Sequence, residues 1–203
     1  MEFPGLKEYL DVATEQDLLI ILGDIGLNFD NTEKNREFTE FFLSIKKNIV
    51  FIDGNHENFE YLYSFPEEEW NGGKVGRLSD NILHLKRGNF YEIDGKTFFV
   101  FGGCKSSPKW KEMGLWHPEE EPSEEEYNLA HENLKAHGYC TDYILTHKYE
   151  QTPGQGTVCV DYQKFTKFIE DNVSYKKWYA GHCHRNRILD EKHIFIYDKL
   201  HTL

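Results

Sequence analysis

Four short motifs, each placed just past an apolar run, constrain this chain more than anything else in it. Leu18 to Leu22 leads into Gly23-Asp24, and Ile49 to Ile52 into Gly54-Asn55-His56-Glu57. Tyr143 to Leu145 leads into Thr146-His147, and Trp178 to Ala180 into Gly181-His182-Cys183-His184. Short runs rich in β-branched and aromatic residues read as buried strands. Metal-competent side chains therefore stand at several strand ends, where an open α/β sheet builds its site. One carboxylate, one Asn and several His make an oxygen-and-imidazole set suited to Mn, Fe or Zn.

The rest of the pattern supplies the elements such a sheet needs. Leu6, Tyr9, Leu10 and Ala13 fall at helical spacing, as do Phe38, Phe41, Phe42 and Ile45, with Asn31 or Thr32 as cap. A helix between two apolar runs predicts a right-handed crossover and a parallel strand pair. Ile82 to Leu85, Phe90 to Ile93 and Thr97 to Phe101 read as strands, the last two joined by the hairpin dipeptide Asp94-Gly95. Ser123 and Glu126 form a capping box for a helix through Tyr127, Ala130 and Leu134 to Gly138. Tyr162, Phe165, Phe168 and Ile169 mark another helix, and Ile188 to Leu200 reads as two strands meeting near Asp190-Glu191-Lys192. The aperiodic stretch from Cys104 to Pro122, with Trp110 and Trp116, is expected to form part of the site rim, less rigid than the sheet, with a tryptophan-anchored cap that completes the core as the alternative.

Taken singly, each motif has an ordinary explanation. Gly23-Asp24 reads as a strand-ending turn, Gly54-Asn55 as a turn dipeptide, and His147 as a core histidine. The chemical readings are sharper. Asp24 is one carboxylate able to bridge two cations, and Asn55 offers a neutral oxygen, a hard ligand that adds no negative charge. His56, adjacent to Asn55, points elsewhere, which suits an imidazole near a leaving group, with Glu57 able to orient its ring. If their segment is extended, His182 and His184 share a face, and Gly181 lets the backbone come close. Four such motifs in order are much harder to meet by accident than one.

In that order the motifs resemble those of the calcineurin-like metallophosphoesterases, from about Asp17 to the C-terminus, and are most similar to small bacterial and phage-type members. The resemblance implies an α/β fold of mixed β-sheets packed as a β-sandwich and flanked by helices. It implies hydrolysis of phosphate mono- or diesters through a metal-activated hydroxide between two divalent cations, Mn, Fe or Zn. By the same resemblance Asp24, Asn55, His147 and His182 complete one metal site, Asp24 and His184 supply half of another, and Asn55 and His56 meet the substrate, with His56 catalytic. The family opens with Asp-x-His on its first strand, and no such triplet precedes Gly23-Asp24 here. One full metal site and a missing first strand are thus expected. The favoured explanation is a start set too late or a shortened chain, with a degenerate protein as the alternative. Glu2 is the first candidate to replace the triplet.

Bulk properties select among functions. A chain of 203 residues is expected to form one domain over 1–203. Its net charge of −12, with acidic stretches at Glu67 to Glu69 and Glu119 to Glu126, would repel a polyanion. Extended nucleic acid is disfavoured as a partner, and short phosphate esters held by metals are favoured. No run is long enough to span a membrane, and Met1-Glu2-Phe3-Pro4 does not open a signal peptide. Cys104, Cys140, Cys159 and Cys183 lack paired spacing and read as reduced thiols, so a cytoplasmic location is expected. His117, in the Trp-rich stretch, is a candidate to touch substrate; His84, His131, His137, His193 and His201 default to structural or solvated roles. The expectation is a phosphoesterase, with a Ser/Thr-type protein phosphatase among its forms. A non-catalytic metal-binding relative acting as an interaction protein stands beside it, and a nuclease is disfavoured.

Overall fold

Consecutive side chains at 49–52 alternate between two cores. Ile49 and Phe51 pack to one side, Val50 and Ile52 to the other. The run 98–101 does the same, with Phe98 and Val100 facing one core and Phe99 and Phe101 another. A strand that buries both faces needs a layer on each. The computed structural model, which describes residues 4–149 and 157–203, supplies those layers as two mixed sheets flanked by helices.

In chain order the helices are α1 (Pro4–Val12), α2 (Glu33–Ser44), α3 (Phe59–Tyr63), α4 (Pro108–Glu112), α5 (Glu124–Ala136) and α6 (Val160–Asn172). The strands are β1 (Leu18–Ile21), β2 (Asn48–Phe51), β3 (Glu67–Trp70), β4 (Gly73–Ser79), β5 (Ile82–Leu85) and β6 (Phe90–Ile93). They continue with β7 (Lys96–Phe101), β8 (Tyr143–Thr146), β9 (Lys177–Ala180), β10 (Arg187–Ile188) and β11 (His193–Phe195). One sheet has the order β1-β2-β5-β4-β3 and the other β10-β11-β9-β8-β7-β6. Their facing sides share a core that includes Val50, Leu83, Val100, Leu145 and Tyr179. Leu6, Tyr9 and Phe42 of α1 and α2 cover the outer face of the first sheet. Ala130, Leu134, Tyr162 and Phe165 of α5 and α6 cover the second.

What matters for the site is direction. β1 and β2 are parallel, and so are β7, β8 and β9. The loops that leave these strands therefore gather at one end of each sheet. Helix starts follow local chemistry: the Thr32 hydroxyl accepts the Asn35 N–H at 3.2 Å, and Ser123 and Glu126 form a complete capping box.

The structure departs from the sequence pattern in four places. β1 is the end strand of its sheet, so Leu18, Leu19, Ile20 and Ile21 are half-buried rather than buried. Phe41 is 50% exposed, and the inward stripe of α2 runs through Phe38, Phe42 and Ile45. β3 and β4 were not foreseen. They pair antiparallel around Asn71-Gly72, both at positive φ (50° and 94°), as a tight hairpin turn requires. The exposed glutamates of β3 charge that sheet edge, which discourages edge-to-edge pairing. The final two strands lie on either side of Asp190 and end at Phe195, short of the expected range. Among the described residues, no helix is long and apolar enough to cross a membrane.

Candidate metal centre

Asp24 reaches the site because the chain turns sharply after β1, with Gly23 and Asp24 at φ 91° and 60°. A Cβ at Gly23 would lie 2.5 Å from His147 Nδ1 and 2.8 Å from the Gly54 nitrogen, so the loops can touch only through glycine. Asp24 Oδ1 accepts the His56 N–H at 2.8 Å, and Oδ2 lies 3.3 Å from His147 Nε2. Glu57, fully buried, accepts the N–H groups of Ile25 and Gly26 at 3.0 Å and that of Gly54 at 3.4 Å. It ties the loop after β1 to the loop after β2. Its carboxylate is bonded to backbone, so the expected role of orienting the His56 ring is not the one the structure assigns it.

Asn55 is the hub. Its Nδ2 lies 2.9 Å from Ser106 Oγ and 3.1 Å from His56 Nε2, which directs Oδ1 into the cluster. Around Oδ1 stand Cys104 Sγ at 3.0 Å, His182 Nδ1 at 3.1 Å and His147 Nε2 at 3.2 Å. The two imidazole nitrogens are 3.2 Å apart. Asp24 and Asn55 thus come from one sheet, and His147, His182 and Cys104 from the other.

The donor set fits a divalent cation. His147 Nδ1 donates to the Leu22 carbonyl at 2.6 Å, so in the neutral ring Nε2 carries the lone pair. That lone pair faces the oxygens of both Asn55 and Asp24. Acceptors crowded together in this way need a proton or a metal between them. Metal–ligand bonds of about 2.0–2.2 Å place tetrahedral N and O ligands about 3.3–3.6 Å apart. The spacings of 3.1–3.2 Å among Asn55, His147 and His182 lie near that range. The Leu22 carbonyl is the outer partner that fixes the His147 tautomer.

Electrostatics agree. Burial works against charge on Asp24, but His147 beside it wins and holds the carboxyl well below the usual range. Burial likewise opposes charge on His147, yet Asp24 and the Leu22 carbonyl raise its pKa. Burial and the neighbouring His147 push His182 down to about 3, which keeps its ring neutral and able to ligate. Burial and the Asp24 charge lift the Glu57 carboxyl to about 8, against the pull of the Gly26 and Ile25 amides.

His56 sits beside the cluster under an aromatic wall. Its ring centroid is 4.2 Å from Trp110 and 5.7 Å from Phe29, and burial lowers its pKa. The Cys104 to Pro122 stretch thereby reaches the site through Cys104, Ser106 and Trp110. Trp116 instead lies under Lys111, with the ammonium 4.4 Å from the ring centroid. Glu120, fully buried, anchors the stretch by accepting the Ser106 N–H at 2.6 Å.

Two candidates lie outside the cluster around Asn55. His182 and His184 both have left-handed backbone, φ 59° and 48°, so their segment is not extended and the shared face is lost. His184 is exposed and stacks on Tyr197 with centroids 5.0 Å apart. His117 packs edge-on against Phe59 at 6.2 Å. Glu2 lies outside the described residues. Sequence reasoning passed over Cys104 and Ser106, although they follow β7 just as the other site residues follow their strands.

A buried ion pair braces this end of the fold. Arg87 bonds Asp53 Oδ2 through Nε at 2.8 Å and Nη2 at 2.5 Å, while His84 Nε2 lies 3.1 Å from Oδ1. Arg87 also reaches Glu126 at 3.0 Å and the Glu119 carbonyl at 2.8 Å. The Asp53 carbonyl accepts the Gly103 N–H at 2.9 Å, joining the Asn55 and Cys104 loops.

Residues 2–186 match a family model described as calcineurin-like phosphoesterase. No curated protein matches the chain.

Proposed function

The chain belongs to the calcineurin-like phosphoesterases, and from that premise we propose that it hydrolyses small phosphate mono- or diesters at the cluster around Asn55. Asp24, Asn55, His147 and His182 would hold a divalent cation of the Mn, Fe or Zn class. Such a cation supplies, when bound, polarisation of a phosphoryl oxygen and acidification of a water molecule. His184, its ring on Tyr197, is left out of this set.

The remaining work belongs to the protein. Asn55 ligates without adding negative charge, so the site stays attractive to a phosphate. The Glu57 bonds to Ile25, Gly26 and Gly54 keep Asp24 and Asn55 in register. His56, beside the cluster and turned away from its centre, holds a proton near the leaving oxygen. Trp110 and Phe29 exclude water from that side of its ring.

The observation that carries this reading is the convergence of His147 Nε2 and His182 Nδ1 on Asn55 Oδ1, from sequence positions 92 and 127 residues away. The test is turnover of para-nitrophenyl phosphate, its bis-ester and a phosphothreonyl peptide with Mn²⁺. Turnover of at least one, lost in Asn55→Ala, is expected. The alternative reading is a non-catalytic metal-binding relative. Metal binding without turnover of any of the three would establish that reading instead.

A further inference from the structure

We propose that Cys104 is a sulfur ligand of the cation at this centre, an inference that rests on the metal site proposed above. Cys104 Sγ lies 3.0 Å from Asn55 Oδ1 and 3.5 Å from His182 Nδ1. Sγ, His147 Nε2 and His182 Nδ1 all lie within 4.8 Å of one another. A cation bonded to sulfur at about 2.3 Å and nitrogen at about 2.0–2.1 Å sets these atoms about 3.5 Å apart in a tetrahedron. The Cys104–His182 spacing meets that value.

The surroundings are also those of a ligand. A buried free cysteine usually packs as a small hydrophobe. Cys104, fully buried, instead meets an amide oxygen and an imidazole nitrogen. Its backbone is held for the purpose by two glycines. A Cβ at Gly102 would lie 2.6 Å from the Asp53 carbonyl oxygen, and one at Gly103 (φ 78°) 2.6 Å from the Glu120 carbonyl oxygen. The Gly103 N–H bond to Asp53 then fixes Cys104 relative to Asn55, two residues beyond Asp53.

The chemistry needs no co-reactant. The S–H bond breaks, the sulfur keeps the electron pair and bonds the cation, and the proton leaves to solvent. A soft thiolate among oxygen and imidazole donors shifts preference toward zinc-class ions and away from manganese.

The test begins with cobalt. Co²⁺-loaded wild-type protein should show a near-ultraviolet sulfur-to-cobalt charge-transfer band, and Cys104→Ser should keep the metal and lose the band. Competition with a chelating indicator should show Cys104→Ser weakening Zn²⁺ by about 10–100-fold, the scale on which even outer partners of metal ligands act, with Mn²⁺ changed much less. X-ray absorption of the wild-type zinc form needs no variant, and it should find a sulfur neighbour at about 2.3 Å. Bound metal with no sulfur signature, or a band that persists in Cys104→Ser, overturns the inference and leaves the metal site standing. Failure of wild-type protein to bind Co²⁺, Zn²⁺ or Mn²⁺ overturns both.

Discussion

His147 Nε2 lies 3.2 Å from Asn55 Oδ1, a ring nitrogen against a carbonyl oxygen, while His147 Nδ1 is committed to the Leu22 carbonyl. In the neutral ring the closer pair would be two acceptors, and Asp24 Oδ2 adds a third at 3.3 Å from the same nitrogen. Strands from two different sheets deliver these atoms to one place. A positive charge at that point satisfies all of them, either as a proton on His147 or as a metal ion.

Metal and proton should therefore compete. The His147 pKa is raised by Asp24 despite burial, so below that raised value the metal-free ring carries a proton that a cation must displace. Mn²⁺ affinity measured by calorimetry should fall as pH is lowered from 8 to 6, approaching about tenfold per unit when one proton is released per cation. Equal affinity at both ends of that range would mean that His147 does not ligate.

His56→Ala should reduce kcat by about 10²–10⁴-fold, the usual worth of proton transfer at a leaving group. Metal content by elemental analysis and the melting temperature should stay close to wild type, because His56 touches the cluster only through Asn55 Nδ2 and its own backbone. Loss of bound metal in this variant would assign His56 to the ligand set instead.

Asp53→Asn should destabilise the fold by about 3–5 kcal/mol at neutral pH, since it leaves Arg87 buried without its main partner. Burial alone would raise the Asp53 pKa, but Arg87 and His84 hold it below the usual carboxylate range. A depressed folded-state pKa gives stability that is complete above the unfolded value, about 3.9. That stability is lost as pH falls further, toward the folded value. Urea unfolding of both proteins should show the gap narrowing below about pH 4. A gap independent of pH down to 3 would show that the Asp53 charge is not what the variant loses.

Much of this was legible in the sequence, for a physical reason. The motifs after β1, β2, β8 and β9 announce themselves because each strand carries an unbroken apolar run, and a polar residue at its end stands out. Cys104 follows β7 by the same rule, but the Gly102-Gly103 pair and the aperiodic stretch after it hid the pattern. β3 was invisible because Glu67 to Glu69 signals solvent, and only its edge position makes such a strand tolerable. The separation of His182 from His184 depends on two left-handed non-glycine residues, which no pattern of types reveals. Sequence adjacency pairs Glu57 with His56, whereas its partners Ile25 and Gly26 lie 32 and 31 residues away.

Gly54→Ala tests whether the glycines shape the centre or merely turn the chain. A Cβ there would overlap Asp24 Oδ1 and lie 2.6 Å from the Asp24 nitrogen and 2.8 Å from His147 Cε1. Displacing both should weaken metal binding by about 10–100-fold, as loss of an outer support does. Circular dichroism should remain that of a folded protein. Unchanged metal affinity in Gly54→Ala would mean that Asp24 and His147 are not ligands in the arrangement described.

The central claim is that one cation sits among Asp24, Asn55, His147 and His182, and anomalous diffraction from Mn²⁺- or Zn²⁺-soaked crystals tests it most directly. The account predicts a strong peak within about 2.0–2.3 Å of Asn55 Oδ1, His147 Nε2 and His182 Nδ1, lost in crystals of His182→Ala. A peak elsewhere on the molecule, or none at metal concentrations that saturate binding in solution, would contradict it.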